Sequence, residues 1–337
     1  MKIFYAILFG AALIMGALAW KGYLNPKPLV YVAPIQSTST EQTSLPAQKE
    51  VSVVLVGDVM LDRGVRQVVE KAFSNDYSRM FEFVKSNIFE ADISMFNLEG
   101  PVSDKGTNVG SIYSFRMATS ALPVLKDVGF DVASFVNNHV GDWGRLAFED
   151  TLTRADDAGL LLAGAGFSYA SATEPVIIEK NGITFGFLGF SDVGPVHLKA
   201  GSTTAGILLL SDPNLESIVS NAKSKVDQLI ISVHWGEEYK TDFTNRQQEF
   251  GHKLIDWGAG LVVGHHPHVV EPVENYNNGV IVYSLGNFIF DQPFSNETMK
   301  GSVLEAVFHK DGLVRYEIKH VIMDKNFRPA FVENNLF

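Results

Sequence analysis

Cysteine is absent from this chain of 337 residues, which excludes disulfide bonds and thiolate metal sites. Positive charge is scarce, because 27 Lys and Arg face 38 Asp and Glu and give a formal net charge of −11. Phosphate backbones select basic surfaces, so this balance argues against a nucleic-acid partner and against a polybasic membrane patch. The content of 46% hydrophobic and 19% charged residues is typical of a folded globular protein.

Charge is also missing near the N-terminus, where residues 3–20 form an uncharged run between Lys2 and Lys21. As a helix that rises about 1.5 Å per residue, this run would reach about 27 Å, close to the thickness of the bilayer hydrocarbon. We therefore predict a transmembrane anchor at residues 1–21. The alternative is a cleaved signal peptide, because residues 17–19 (Ala-Leu-Ala) have the form that signal peptidase recognises. Either interpretation predicts an extracytoplasmic domain at the cell surface.

Composition and pattern divide the remainder into three segments. Residues 22–50 are rich in Pro, Ser and Thr and are predicted to be a linker. Over residues 51–325, apolar runs such as 51–56 alternate with helical patterns, which is typical of parallel strands joined by crossover helices. The last runs, beginning with a predicted strand at 269–273, indicate antiparallel strands. We expect an α/β sandwich with sheet inside and helices outside, followed by a C-terminal tail at 326–337.

Polar side chains follow the ends of five predicted strands. Because the carboxyl ends of parallel strands build the ligand sites of α/β folds, we expect these side chains to lie together. Carboxylate, amide and imidazole ligands suit Mn, Fe, Zn or Mg, so the pattern predicts a site for one or two divalent metal ions. The residues are Asp58, Asn97, Glu99, Asn137, Asn138, His139, His234, His265, His266 and His268.

Most of these residues, taken alone, have a simpler explanation. Asp58 has the position of a helix cap, Asn138 that of a turn residue, and His234 beside Trp235 that of a hydrogen-bonded core histidine. The segment 264–268 (Gly-His-His-Pro-His) is harder to explain in this way, because three imidazoles in four residues are an unusual choice for a plain turn.

Six short blocks of the sequence stand out together. They are GDVMLDR, NLEGP, FVNNHVGDWG, VHWGEEY, GHHPHV and YSLGNFIFDQ, which begin at residues 57, 97, 135, 233, 264 and 283. In order and content, the blocks resemble those of the CapA-type poly-γ-glutamate capsule synthesis proteins, a branch of the calcineurin-like metallophosphoesterases. The resemblance covers about residues 52–291. It implies a four-layer α/β/β/α metallophosphoesterase-like fold with a two-metal site.

The resemblance also implies roles for individual residues. His139 corresponds to the histidine next to the scissile group, where a protonated imidazole would donate to the leaving oxygen. Arg63 and Arg116 are expected as anion contacts. Asp142 is expected either to orient the imidazole of His139 or to serve as a turn or cap residue. The metal ligands carried over from the family are Asp58, Glu99, Asn138, His234, His266 and His268.

Two positions depart from the family's pattern. The superfamily usually has Asp-x-His in its first block, and this chain has Met60 in place of that histidine. A thioether is a poor ligand for a hard divalent ion. Glu99 replaces the bridging aspartate. These departures imply a weakly held or absent first metal, and the triple histidine leaves open whether His265 or His266 is a ligand.

The resemblance implies two functions from different classes. The first is a metal-dependent hydrolase of a phosphoester, or of a related bond in a cell-surface polymer, in capsule or poly-γ-glutamate synthesis or export. The second is a non-catalytic, metal-containing accessory subunit that binds anionic polyglutamate. A third, structural role is favoured by Met60. The family context implies other capsule-synthesis membrane proteins as partners.

Overall fold

The structure, a computed structural model, describes residues 49–333. The predicted anchor or signal segment at residues 1–21, and the predicted linker up to residue 48, lie outside the described residues. Among the residues that are described, no helix combines the length and the apolar character needed to cross a membrane.

Helices and strands alternate through the first part of the chain, and strands predominate toward its end. The helices are α1 (Arg63–Ala72), α2 (Lys85–Glu90), α3 (Ala121–Asp127), α4 (Gly144–Asp157), α5 (Tyr169–Thr173), α6 (Leu215–Lys223) and α7 (Asn245–Asp256). Short 3₁₀ helices lie at Tyr77–Phe81, Val196–Leu198 and Glu297–Met299. The strands are β1 (Val51–Val59), β2 (Ile93–Leu98), β3 (Val132–Ser134), β4 (Leu161–Ala163), β5 (Ala165–Gly166), β6 (Val176–Lys180), β7 (Ile183–Ser191), β8 (Gly206–Ile207), β9 (Gln228–His234), β10 (Leu261–His265), β11 (Val273–Tyr276), β12 (Gly279–Val282), β13 (Asn287–Ile289), β14 (Lys300–His309), β15 (Gly312–Met323) and β16 (Pro329–Val332).

Two sheets contain most of these strands. The larger, eight-stranded sheet has the order β16-β15-β14-β1-β2-β3-β4, and β13 pairs with β1 beside this path. Its strands β1 to β4 are parallel, whereas β14 to β16 pair antiparallel. The six-stranded sheet has the order β11-β12-β10-β9-β7-β6, with parallel central strands and antiparallel pairing at both edges. Strands β5 and β8 form a separate pair.

Three apolar clusters hold these layers together. One lies between the sheets and contains Val53 and Leu55 of β1 together with Phe185 of β7. A second packs the larger sheet against α1 to α4 and contains Val54 and Val56, because successive residues of a strand point to opposite faces. The third packs the six-stranded sheet against α6 and α7. The layers therefore follow the order helices, sheet, sheet, helices, and the predicted mixed α/β fold is confirmed.

Two C-terminal segments differ from their prediction. The predicted strand at 269–273 is wrong, because β11 begins only at Val273. His266 and His268 have positive φ angles of 99° and 58°, so the backbone turns there instead of entering a strand. The predicted tail at 326–337 contains β16, which pairs with β15 and extends the larger sheet.

The first strand carries a predicted site residue at its end. It continues through Asp58 instead of ending at residue 56, because its last residues pair with β2 and β13. Asp58 is therefore not a helix cap, and Asp62 takes the cap position of α1. Gly57 permits the close approach at this point, since a Cβ atom there would lie 2.0 Å from the carbonyl oxygen of Gly286.

We expect Gly57→Ala to destabilise the protein by about 3 kcal/mol, because the added methyl group must push β1 away from Gly286 in a close-packed interior. Gly260→Ala is the matched control, since the nearest atom to a Cβ there lies at 3.6 Å. Urea unfolding followed by circular dichroism measures both variants. Equal unfolding midpoints would contradict the packing described for Gly57.

Candidate metal centre

Strand ends from both sheets converge on one group of polar side chains. Asp58 at the end of β1 lies opposite Asn97 of β2 in the parallel register, and His234 of β9 lies opposite His265 of β10. The loop that follows β3 contributes residues 137–139. The six-stranded sheet thus supplies histidines to the group, and the larger sheet supplies carboxylate and amide oxygens.

Two carboxylates lie at the centre of this group. Asp58 and Glu99 are both fully buried. The side-chain amide of Asn97 donates to Oδ1 of Asp58 at 2.8 Å and to Oε2 of Glu99. Asn137 fixes Asn97 in turn, because its amide donates to Oδ1 of Asn97 at 3.1 Å and to the carbonyl oxygen of Leu98 at 2.7 Å. The two asparagines therefore hold the carboxylates side by side.

The pKa values of the two carboxyl groups are shifted in opposite directions. Burial, and after it the charge of Asp58, raises the pKa of Glu99 well above its usual value. Burial also acts to raise the pKa of Asp58, but the adjacent His265 and His268 outweigh it and hold that pKa well below its usual value. A proton on Glu99, or a cation beside it, therefore relieves the repulsion between the pair.

His234 completes the first set of ligand atoms. Its Nε2 lies 2.9 Å from Oδ1 of Asn138 and 3.6 Å from Oε1 of Glu99. Burial and the nearby His266 lower the pKa of His234 well below its usual value, so the ring is neutral at pH 7 and can act as a nitrogen ligand. One ligand atom each from Asp58, Glu99 and His234 lie within 4.8 Å of one another, close enough to share one ion.

The three histidines that follow β10 take different positions. Nδ1 of His265 lies 3.2 Å from Oδ1 of Asp58, and Nδ1 of His268 lies 3.3 Å from Oδ2. His268 is also fixed by Asn287, whose Oδ1 lies 2.9 Å from the same nitrogen. His266 has a φ of 99°, a strained conformation of the kind that clusters at functional sites. Both His265 and His266 therefore belong to the group, with different neighbours.

Several buried polar atoms of this group have no hydrogen-bond partner among the described residues. Almost all buried polar groups in folded proteins are paired, so a cluster of unpaired ones indicates a ligand. Carboxylate oxygens and imidazole nitrogens are ligand types that divalent cations such as Mn, Fe, Zn or Mg bind. The residues present therefore fit divalent metal ions. The atoms are Oδ2 of Asp58, Oε1 of Glu99 and Nδ1 of His234, His265 and His266.

His139 lies beside this group and is held by Asp142. Nδ1 of His139 is 2.8 Å from Oδ2 of Asp142, and its Nε2 is 4.0 Å from Oε1 of Glu99. Asp142 also accepts the backbone N–H of Phe115 at 2.9 Å and the hydroxyl of Ser111 at 3.1 Å. The ring of Phe115 packs on the imidazole at 4.0 Å between centroids. This geometry fits the orienting role of Asp142.

The two predicted arginines have different surroundings. A pocket of about 150 Å³ beside the metal-ligand group is lined by Arg63 and His139, among others. Arg63 donates from Nε to Asp291 at 3.1 Å and from Nη2 to the other carboxylate oxygen, so its charge is already paired. Arg116 instead stacks at 3.5 Å on the ring of Trp143. The structure therefore brings Arg63 to the pocket, and Arg116 is not one of the residues that line it.

The side chain of Met60 lies in the protein interior. Its side chain is fully buried in the cluster under the larger sheet, and Sδ accepts the backbone N–H of Asp62 at 3.1 Å. Three residues that sequence reasoning did not assign contribute instead: Glu238 and Asp291 line the pocket, and Asn287 fixes His268. The only signal for them was their place within the blocks that begin at residues 233 and 283.

We expect the metal-free protein to gain stability at neutral pH when Glu99 is replaced by Gln. A raised pKa means that folded Glu99 binds its proton more tightly than the unfolded chain does. The free energy of unfolding of the wild type therefore falls as the pH rises above 4.5, the ordinary value of the group, while below that pH the two proteins converge. Urea unfolding of EDTA-treated protein at a series of pH values measures this difference.

Added Mn²⁺ is the control for this prediction. It should stabilise the wild type more than Glu99→Gln, because the ion binds the folded state and needs the carboxylate. A metal-free wild type that is at least as stable as Glu99→Gln throughout the range from about pH 5 to pH 8 would contradict the electrostatics described for the carboxylate pair.

The sequence of this chain is similar to those of known capsule synthesis proteins. Residues 52–292 match the family model described as bacterial capsule synthesis protein PGA_cap. The PGA biosynthesis protein CapA of Bacillus subtilis (strain 168) is 34% identical over 270 residues, which cover 79% of this chain and 70% of that protein. The capsule biosynthesis protein CapA of Bacillus anthracis is 31% identical over 279 residues, covering 79% and 67%.

A solved structure shares the fold of this chain. The crystal structure of a phosphatase from Mycoplasma pneumoniae superposes with a TM-score of 0.51 at 12% identity, and covers 82% of this chain and 94% of that one. At such low identity the likeness concerns the fold alone. Because the family model spans most of the described residues and both CapA relatives exceed 30% identity, the resemblance of the six blocks is confirmed, and this chain belongs to the bacterial capsule synthesis protein family PGA_cap.

Proposed function

We propose that this chain is a metal-dependent hydrolase that cuts a phosphoester, or a related bond of a cell-surface polymer, during capsule or poly-γ-glutamate synthesis or export. The observation that carries the proposal is the cluster of buried, unpaired ligand atoms around Asp58, Glu99 and His234. The names of the two CapA relatives support the polymer context. The fold shared with a phosphatase supports the reaction class.

In the proposed reaction, the metal ion and the side chains of the protein would have separate roles. The ligands Asp58, Glu99 and His234 would hold a divalent ion, which when bound supplies Lewis acidity and a nucleophilic water near neutral pH. The chain itself supplies a proton donor. Asp142 holds Nδ1 of His139 at 2.8 Å, which leaves Nε2 of His139 facing the candidate metal group and free to donate to a leaving oxygen.

The pocket limits what can reach His139. Its volume is about 150 Å³, and Tyr113, Phe115 and Phe294 narrow it. A space of this size is large enough for a single ester group or a chain end. Arg63 keeps its pair with Asp291, so any attraction for an anionic substrate depends on bound cations.

The second candidate function is a non-catalytic accessory subunit that binds anionic polyglutamate. The position of Met60 in the core, where the superfamily has a metal-ligand histidine, counts against catalysis and leaves this candidate and a purely structural role as the alternatives. Under this hypothesis, too, a bound cation would be needed, because the pocket has more acidic side chains than arginines. Glu238 and Asp291 there face a single arginine, Arg63, and would otherwise repel a polyanion.

We expect Mn²⁺-loaded protein to hydrolyse phosphodiester or phosphomonoester model compounds, and His139→Asn to lower kcat by about 10²- to 10⁴-fold. The loss should be larger for an alkyl ester than for a nitrophenyl ester, because a poor leaving oxygen needs the proton more. Metal content should stay unchanged, since His139 is not a ligand in this assignment. Steady-state kinetics with both esters and elemental analysis measure these effects.

The matched control for that experiment is His309→Asn. His309 pairs with Glu50 at 3.3 Å, away from the strand ends that carry the site, so its loss should leave kcat unchanged. Protein that binds Mn²⁺ but cuts neither ester would contradict the hydrolase proposal. Mn²⁺-dependent binding of polyglutamate in calorimetry would then favour the accessory subunit.

We propose further that residues 1–21 place the domain outside the cytoplasm, next to other membrane proteins of polymer synthesis. The support is the uncharged run at residues 3–20, which has the length of a membrane span. Full-length protein should be protease-accessible in intact spheroplasts, and a variant that lacks residues 1–21 should not be exported. An intact N-terminus in the membrane fraction indicates an anchor, and a start near residue 20 indicates a cleaved signal peptide. Protection of the full-length chain from protease would contradict the proposal.

A further inference from the structure

Glu238 has no part in the family's ligand pattern, yet it lies with two histidines of the metal centre. We infer that Glu238 is a metal ligand that forms, together with His266 and His268, a second cation subsite beside the one at Asp58. This inference rests on the proposed metal-dependent function. It adds a carboxylate from the loop after β9 to the two histidines.

The loop after β9 holds Glu238 next to the histidines. The backbone N–H of Tyr239 donates to the carbonyl oxygen of Pro267 at 2.8 Å, which ties this loop directly to the histidine loop. Tyr239 also has a φ of 66°, a conformation that a tyrosine rarely adopts. As a result, an oxygen of Glu238 and one ring nitrogen each of His266 and His268 all lie within 4.8 Å of one another.

Each imidazole of this subsite has a ring nitrogen placed to act as a metal ligand. Nδ1 of His268 is 2.9 Å from Oδ1 of Asn287, an arrangement that orients the ring and leaves Nε2 for a metal. Nδ1 of His266 is buried without a hydrogen bond.

The charge of Glu238 is what the two histidines lack. Two imidazoles supply no negative charge to a divalent cation, and a carboxylate adds one. Arg63, the cationic side chain that shares the pocket with Glu238, is bound to Asp291 instead. The carboxylate of Glu238 is also exposed, which keeps the subsite open toward the pocket and a substrate.

Met60 explains why a ligand from elsewhere is needed. Its sulfur faces the backbone N–H of Asp62 within the core, so this part of β1 offers the site only Asp58. A further carboxylate therefore has to come from another segment, and Glu238 is the one that lies within 4.8 Å of ligand atoms of His266 and His268.

Metal stoichiometry tests the inference without reference to catalysis. Purified protein is stripped with EDTA, reconstituted with Mn²⁺, desalted and subjected to elemental analysis, and Mn²⁺ binding is followed by calorimetry. We expect two ions per wild-type chain and one per Glu238→Gln chain, with the affinity of the lost site at least about tenfold weaker. Glu237→Gln is the matched control, because it removes the same charge from the adjacent exposed residue and should retain two ions.

The number of bound ions tests the inference and the proposed function separately. Two ions of unchanged affinity in Glu238→Gln would overturn it, while the metal-dependent function would stand. One ion in both the wild type and Glu238→Gln would overturn it as well. No ion in the wild type would refute the proposed function itself. Urea unfolding of metal-free Glu238→Gln should match that of the wild type, since the side chain is exposed, and this excludes misfolding as the cause of a lower count.

Discussion

Asp58 and Glu99 lie side by side without exposure to solvent, and the rest of the site is arranged around their charge. Among the described residues, the ion contacts of these two carboxylates are to imidazoles and not to Lys or Arg. Burial of uncompensated charge costs several kcal/mol per ion, and His234, whose pKa is lowered, returns no positive charge. A divalent cation would balance the pair. Because its ligands come from both sheets, the same ion would stabilise the sandwich and create the reactive site.

Much of the fold could be predicted from the sequence, because its signals are local. The apolar β-branched run of β1 followed by Asp58 shows both the strand and the polar residue at its end. The predicted strand at 269–273 fails because Val269 is buried in a loop, so its apolar character reflects core packing and not strand pairing. The strand β16 has no strong pattern of its own and forms by pairing with β15.

The residues of the candidate site are also of two kinds. Some have a local signal in the sequence, and others are placed only by contacts between distant segments. The spacing of His139 and Asp142 places the two side chains in contact within one turn, so this contact was predictable from the sequence. Glu238 and Asn287 were not, because their approach to the histidines depends on contacts between distant loops, such as the Tyr239–Pro267 hydrogen bond. The location of the arginines likewise depends on partners far along the chain, and Asp291 is the residue that places Arg63.

Anomalous diffraction from crystals grown with Mn²⁺ shows directly whether the buried carboxylates hold a cation. We predict an anomalous peak at about 2.0–2.3 Å from atoms of Asp58, Glu99 and His234, and its loss from crystals grown with EDTA. Manganese peaks confined to surface carboxylates, with water alone between Asp58 and Glu99, would contradict the view that a divalent ion balances this buried charge.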